Sequence, residues 1–222
     1  MLSFHWKSKH RKVSMAEDKN EPEIVTIWTE AKDYVEKGNY DKAIETYKYI
    51  TVRYADNPVA LEYANAYLGD LNLSLNNTEL AEHYIQKAIK YKPNKPEYRY
   101  ILGFIYSKQN QWGKAILELS AAVKAKPGDA EYIRCLGWTV SNGGDRVEGI
   151  KLLKQAKKLE PYNIHILLDL ANVYLLNLDF KNAKQYAKLA ISIDPLDSLS
   201  RITFDKICQF QKVYEKEKQK GE

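Results

Sequence analysis

The chain has 222 residues, of which 45% are hydrophobic and 28% are charged, and its formal net charge at pH 7 is +5. This composition is too apolar for a chain that is disordered throughout, and no apolar run approaches the roughly 20 residues that a membrane-spanning helix needs. The nearly balanced charge of the region after the N-terminus argues against general nucleic-acid binding, which requires a concentrated basic surface.

The N-terminal segment, residues 1–22, lacks helical periodicity and is predicted to be a disordered tail. Residues 1–14 carry four basic side chains and no acidic one, while residues 15–23 are acidic. The basic part contains no continuous apolar stretch, so it does not have the form of a secretory signal, and we expect a cytoplasmic protein. Met15 is an alternative first residue, which leaves open whether residues 1–14 belong to the native protein.

From residue 24 onward the sequence repeats. Pro93, Pro127, Pro161 and Pro195 follow one another at steps of 34 residues. Small residues keep the same step in three columns: Gly69, Gly103, Gly137 and Ala171; Ala81, Ala115, Gly149 and Ala183; Ala88, Ala122, Ala156 and Ala190. Small side chains at a fixed phase allow neighbouring helices to approach closely. The fixed step therefore predicts an array of like units rather than a single globular core.

Each unit is predicted to contain two antiparallel helices, because apolar residues recur at helical spacing on both sides of a short polar turn. The proline that follows each second helix ends it, since proline cannot donate a backbone hydrogen bond. The predicted turns lie at Gly38-Asn39, Asn76-Asn77, Asn110-Gln111, residues 143–145 and residues 177–179. The first step, from Ala43 to Ala81, is 38 residues, and we expect the four extra residues to form a longer loop or an extra turn on the third helix.

The pattern resembles the tetratricopeptide repeat family, in which a leucine-glycine pair, a tyrosine, two alanines and a closing proline recur. The clearest match in this chain is the unit 96–129, with Leu102, Gly103, Tyr106, Ala115, Leu119, Ala122 and Pro127 in register. The resemblance implies an all-α solenoid that winds as a right-handed superhelix. The predicted units are about 24–61, 62–95, 96–129, 130–163 and 164–197, followed by a capping helix over 198–218 and a short tail over 219–222. Three glycines near the second helix of the unit 130–163 predict that this unit opens most easily.

In this family the first helices line a concave groove, and the resemblance places a partner-binding surface there. The candidate residues are Trp28, Lys32, Tyr63, Tyr100, Phe104, Arg134, Trp138, His165 and Asn172. Tryptophan, tyrosine and arginine dominate binding energies at interfaces, so we expect an aromatic groove that binds a peptide segment or a helix of a protein partner. In the alternative, Trp28, Tyr100, Phe104 and Trp138 only pack between neighbouring first helices. A third possibility is that the chain's own tail fills the groove.

Members of the family that bind acidic chaperone tails use a clamp of lysine, asparagine and arginine. The matching places here hold Trp28, Lys32, Tyr67, Glu97 and Ile101. Only one of these five side chains is cationic, which argues against a carboxylate clamp. A peptide with apolar anchors is the expected ligand class.

No catalytic or metal-binding pattern accompanies the repeats. The four histidines have no cysteine or carboxylate partner at a recognised spacing, there is no glycine-rich phosphate loop, and no cofactor is expected. Cys135 and Cys208 lack metal-ligand spacing and are predicted to be reduced and at least partly buried. We therefore expect a non-catalytic scaffold or adaptor. The alternatives are an accessory nucleic-acid or membrane-surface binder that uses the basic tail, and a non-catalytic regulatory subunit of an enzyme. The chain shows no symmetric apolar patch and is expected to be a monomer, although the sequence leaves the oligomeric state open.

Overall fold

The computed structural model describes residues 22–220, which form eleven α-helices and no β-strand. The helices are α1 (Pro22–Glu36), α2 (Tyr40–Arg53), α3 (Pro58–Ser74), α4 (Thr78–Tyr91), α5 (Pro96–Lys108), α6 (Trp112–Ala125), α7 (Ala130–Asn142), α8 (Arg146–Leu159), α9 (Ile164–Leu176), α10 (Phe180–Ile193) and α11 (Ser198–Lys220). The predicted all-α fold is confirmed. Pro22, the last residue of the predicted N-terminal tail, is the first residue of α1. Residues 1–21 of that tail lie outside the described residues.

The connections between helices have two constant lengths. Three residues join the two helices of each hairpin, and four residues join each hairpin to the next helix. The three-residue turns lie where the sequence predicted them. Each contains one residue with a left-handed backbone: Gly38 (φ 73°), Asn76 (φ 62°), Asn110 (φ 58°), Gly144 (φ 115°) and Leu178 (φ 58°). Glycine and asparagine adopt this conformation readily, whereas Leu178 adopts it at a steric cost.

Polar side chains cap the helices at the four-residue connections. The side chains of Asn57, Asp129 and Asn163 each accept hydrogen bonds from two backbone N–H groups at the start of α3, α7 and α9. Asp197 accepts one from the backbone of Ser200 at the start of α11, at 2.8 Å. These bonds satisfy N–H groups that have no partner inside the helix. The predicted capping helix is present as α11.

The four extra residues of the first step lengthen α3. This helix has 17 residues, whereas α5, α7 and α9 have 13 each, and the connection that precedes it keeps the usual length. The extra turn is packed, because Ala60 is fully buried beside Tyr54 in the core. Of the two expectations for this segment, the extra helical turn is therefore correct and the longer loop is wrong.

The described residues divide into two compact units, 22–109 and 110–220, and each has its own apolar core. In the first unit the core includes Trp28, Tyr47, Ile50 and Leu68. In the second unit it includes Ile133, Leu153, Leu170 and, from α11, Ile207. Ile207 is fully buried, so α11 covers the apolar surface of the last hairpin. None of the helices between residues 22 and 220 combines the length and the apolar character that a membrane crossing requires.

Helices α7 and α8 approach each other closely at Gly149. A Cβ atom added at Gly149 would lie 2.7 Å from the carbonyl oxygen of Gly137 and 1.8 Å from Oγ of Ser141. Glycine at position 149 is thus required by helix packing in this hairpin. The presence of three glycines in the unit 130–163 does not by itself indicate loose packing, because the packing of α7 against α8 leaves no space for a side chain at Gly149.

Both cysteines are free thiols in the described part of the chain, and Cys135 is buried while Cys208 is half-buried. Burial raises the pKa of the Cys135 thiol well above its usual range, which keeps it protonated and unreactive at neutral pH. The prediction of reduced, partly buried cysteines is confirmed.

Candidate functional site

All nine candidate residues lie on the first helices of their hairpins. In the first unit these helices are α1, α3 and α5, and in the second unit they are α7 and α9. We call the side of these helices on which the candidate residues lie the first-helix surface of a unit. Its candidate members are Trp28, Lys32, Tyr63, Tyr100 and Phe104 in the first unit, and Arg134, Trp138, His165 and Asn172 in the second.

Trp28 is a core residue of the first unit, with 7% of its surface exposed. Its ring makes edge-to-face contacts with Tyr47 at 5.2 Å, Tyr67 at 5.3 Å and Tyr63 at 6.3 Å between centroids. Tyr47 and Tyr67 are stacked at 5.2 Å. Such aromatic pairs stabilise packing beyond the area they bury. Trp28 therefore packs against the half-buried rings of Tyr63 and Tyr67. This is the role expected if Trp28 is a packing residue and not a ligand contact.

Asp70 lies on α3, one turn beyond Tyr67. Burial raises the pKa of Asp70 to about 7, and its Oδ1 atom has no hydrogen-bond partner among the described residues. A carboxyl group in this position is partly protonated near neutral pH, since burial disfavours the charged form. The first-helix surface of this unit thus contains a carboxyl group with a raised pKa, which the sequence alone did not indicate.

A second polar group joins α3 to α5. Nζ of Lys95 lies 3.0 Å from Oε1 of Glu62, and the hydroxyl of Tyr98 donates to the same oxygen at 2.8 Å. The ammonium group also lies 4.6 Å from the ring centroid of Tyr63. Glu62 and Tyr98 are buried. The lysine and the carboxylate compensate each other's charge and fix the position of the Tyr63 ring.

The remaining candidates of the first unit differ in exposure. Tyr100 exposes 7% of its surface, whereas Lys32 and Phe104 are half-buried. Nζ of Lys108 lies 6.0 Å from the ring centroid of Phe104, at the exposed side of the helix. Tyr63 and Phe104 are therefore the candidate aromatic residues of this unit that combine an ordered position with residual exposure.

In the second unit Arg134 is buried, with 7% of its surface exposed. Its guanidinium group donates to both carboxylate oxygens of Glu131, at 2.6 and 2.7 Å, and to Oδ2 of Asp169 at 2.5 Å. Two arms of its fork are thus occupied by carboxylates of this chain. The arginine links α7 to α9, and its geometry is that of a structural ion pair.

Trp138, His165 and Asn172 complete the first-helix surface of the second unit. Trp138 is half-buried and contacts Trp112 edge-to-face at 6.0 Å. His165 is exposed and Asn172 is half-buried. No group of three or more His, Cys, Asp or Glu side chains that could hold a metal ion occurs between residues 22 and 220.

Sequence reasoning missed both of these ion pairs between successive repeats. Glu62 and Lys95 are 33 residues apart, and Arg134 and Asp169 are 35 apart. Each separation is one residue away from the repeat length, which places the two side chains at similar positions in successive repeats. Opposite charges near the repeat distance were therefore the signal that could have identified them.

Comparisons with known proteins agree with this architecture. Sequence profiles described as tetratricopeptide repeat match residues 67–130 and residues 164–195. No curated protein matches the chain significantly in sequence.

Several solved structures share the fold. MamA 41-end from Desulfovibrio magneticus RS-1 aligns with a TM-score of 0.67 and 21% identity, over 78% of this chain and 96% of that one. YrrB, described as a TPR protein with an unusual peptide-binding site, aligns with a TM-score of 0.61 and 18% identity, over 86% of this chain and 96% of that one. An O-GlcNAc transferase from Thermobaculum terrenum aligns with a TM-score of 0.59 and 22% identity, over 63% of this chain but only 28% of that one.

Helical hairpins that recur every 34 residues, with small residues at their contacts and a closing helix, define a helical-repeat protein. Its residues 67–130 and 164–195 are tetratricopeptide repeats, and the described chain has the fold of a tetratricopeptide repeat solenoid.

Proposed function

We propose that the protein is a non-catalytic scaffold that binds a peptide segment or a helix of a protein partner on its first-helix surfaces. The observation that carries the proposal is the set of half-buried aromatic side chains there: Tyr63 and Phe104 in the first unit and Trp138 in the second. Aromatic rings held in place by neighbours lose little conformational entropy on binding and supply large apolar contacts.

The charges of the same surfaces support an apolar rather than an acidic ligand. Arg134 is engaged by Glu131 and Asp169, and Lys95 is engaged by Glu62. A carboxylate clamp would need cations that are available to the ligand. The proposed contact residues are therefore Tyr63, Phe104 and Trp138, with Lys32, His165 and Asn172 as polar neighbours, while Trp28, Tyr100 and Arg134 hold the helices that carry them.

A selection from a displayed peptide library on the full-length protein tests the proposal. Selected peptides are measured by fluorescence anisotropy against the wild type and a Tyr63→Ala/Phe104→Ala/Trp138→Ala variant, and we expect affinity to fall by at least about tenfold. The matched control is Tyr49→Ala/Tyr91→Ala/Tyr162→Ala, which removes three exposed rings away from the first helices. Equal affinities for both variants would exclude the first-helix surfaces as the binding site.

Deletion of residues 1–14 tests the alternative that the basic tail binds the partner. If peptide binding is lost on deletion and kept in the triple alanine variant, the tail is the binding element. Affinity capture with the wild type and with the triple alanine variant tests an enzyme-associated role. An enzyme recovered with the wild type and not with the triple variant would make this chain its non-catalytic subunit. The unpaired thiols support a reducing compartment, so a cytoplasmic location is part of the proposal, and the oligomeric state is expected to be monomeric.

A further inference from the structure

The last two second helices of the second unit carry a concentration of positive charge that the balanced overall composition conceals. Helices α8 and α10 contain eight basic residues and one acidic residue, Glu148. The corresponding helices of the first unit, α2 and α4, contain five basic and four acidic residues. The excess therefore belongs to one unit and is not a property of second helices in general.

Most of this charge has no carboxylate partner. Glu148 pairs with Lys151 at 3.1 Å, and the ion pairs within residues 22–220 include none of the other seven cations. Those seven are Arg146, Lys154, Lys157, Lys158, Lys181, Lys184 and Lys188. They form what we call the basic face of the second unit.

Aromatic rings order three of these lysines. Nζ of Lys154 lies 5.7 Å from the ring centroid of Tyr174, Nζ of Lys157 lies 5.8 Å from that of Tyr186, and Nζ of Lys188 lies 5.6 Å from that of Phe204. Tyr174 and Tyr186 are themselves stacked at 5.6 Å. The ammonium groups lie over the rings, and Lys154 and Lys188 are exposed while Lys157 is half-buried. The Lys157 contact places the carboxyl-terminal half of α8 beside α10.

An exposed apolar edge adjoins the basic face at the carboxyl-terminal ends of the same two helices. Leu159, the last residue of α8, is 46% exposed, Tyr162 in the next connection is 77% exposed, and Leu196 in the connection after α10 is 85% exposed. Tyr162 and Leu196 are 34 residues apart and occupy the same place in successive repeats. Large apolar side chains at such exposure are costly in water unless another surface covers them.

We propose that the basic face and its apolar edge form a docking site for the surface of an anionic phospholipid membrane. Clustered lysines are attracted to anionic headgroups, and adjoining leucine and tyrosine side chains enter the boundary between headgroups and acyl chains. A membrane surface would therefore contact both the basic face and its apolar edge. A nucleic-acid backbone would engage the lysines but leave Leu159 and Leu196 in water, and the rings below the lysines are buried or half-buried, so they offer little surface for stacked bases.

Vesicle co-sedimentation of the full-length protein tests the proposal. We expect binding to phosphatidylcholine vesicles that contain phosphatidylserine and no binding to vesicles of phosphatidylcholine alone. Replacing three cations, Lys158→Gln/Lys181→Gln/Lys184→Gln, should weaken binding on the order of 100-fold, at about fivefold per lysine. Lys158 and Lys181 are exposed and Lys184 is half-buried, and circular dichroism checks that the variant is folded.

The matched control removes the same charge from the first unit, Lys48→Gln/Lys87→Gln/Lys90→Gln, and should bind vesicles like the wild type. A second variant, Leu196→Ser/Tyr162→Ser, should weaken vesicle binding while it leaves the dependence on phosphatidylserine in place. Equal binding of the two lysine variants would overturn the proposal, and so would binding to a DNA duplex without binding to vesicles.

The site is separate from the proposed peptide-binding residues of the first-helix surfaces. The Tyr63→Ala/Phe104→Ala/Trp138→Ala variant should bind vesicles normally, and the lysine variant should bind selected peptides normally. The two proposals can therefore fail independently.

Discussion

Replacement of Gly149 by alanine is expected to destabilise the protein, although alanine is the better helix former. The new Cβ would lie 1.8 Å from Oγ of Ser141, 2.9 Å from its Cβ and 2.7 Å from the carbonyl oxygen of Gly137. Ser141 is short and buried and the carbonyl belongs to α7, so the strain is relieved only if α7 and α8 separate. Overpacking of this kind costs about 1–3 kcal/mol, and alanine returns up to about 1 kcal/mol of helix propensity. With contacts this short, we expect a net loss of about 1–2 kcal/mol.

Gly113 provides the matched control for this substitution. It lies in α6, and no atom lies within 4 Å of a Cβ placed there. Gly113→Ala should therefore stabilise the protein by up to about 1 kcal/mol through helix propensity alone. Urea unfolding followed by helical circular dichroism measures both variants, and opposite signs are expected.

A double-mutant cycle with Ser141→Ala tests the proposed contact directly. Alanine at position 141 removes the oxygen at 1.8 Å but keeps the Cβ at 2.9 Å. Part of the loss should return, with a coupling free energy of at least about 0.5 kcal/mol. Additive effects, or a Gly149→Ala variant as stable as Gly113→Ala, would refute the packing explanation.

Three further substitutions follow from single sites. Leu178→Asn should raise the free energy of unfolding by about 1 kcal/mol, because leucine at φ 58° is strained and asparagine occupies the same position in two other turns. The control is Leu176→Asn, at a similar exposure on α9, which should not stabilise the protein in urea unfolding. Arg134→Met should cost about 3–5 kcal/mol, since it leaves the carboxylate of Asp169 buried without a partner, and a further Asp169→Leu change should recover part of that loss. Asp70 has a folded pKa of about 7 against an ordinary value of 3.8, so the folded state binds more protons than the unfolded state between these values. Stability should therefore fall as pH rises from about 4 to about 7 and stay level above it, and thermal unfolding of Asp70→Asn across this range should lack that fall.

The fold could be predicted because its signals are local. The proline step, the turn residues and the small-residue columns each act within a few positions of the chain, and the helices end where these residues require. The extra turn of α3 was one of two expectations, and the sequence could not choose between them, because Pro58 at the first helical position is compatible with a helix start as well as with a loop.

The candidate surface was only partly predictable. Helical periodicity places Trp28, Tyr100 and Arg134 on the first-helix side, but it does not say how far neighbouring helices cover that side. Trp28 is covered by rings from α2 and α3, and Arg134 is engaged by Asp169, which lies 35 residues away. Burial of this kind depends on contacts between repeats, for which a single sequence offers only the weak signal of opposite charges near the repeat distance.

Because the connection lengths are constant, one repeat of 34 residues is the unit by which the chain can be lengthened without changing its connections. A tandem duplication of residues 130–163 would reproduce a three-residue and a four-residue connection, so the added hairpin would begin and end where its neighbours do. In α3 the length changed by a different increment, four residues, which is close to one turn of an α-helix. Such an insertion nearly keeps the direction of every following side chain, and we expect deletions of the same size in α3 to be tolerated better than deletions of two residues.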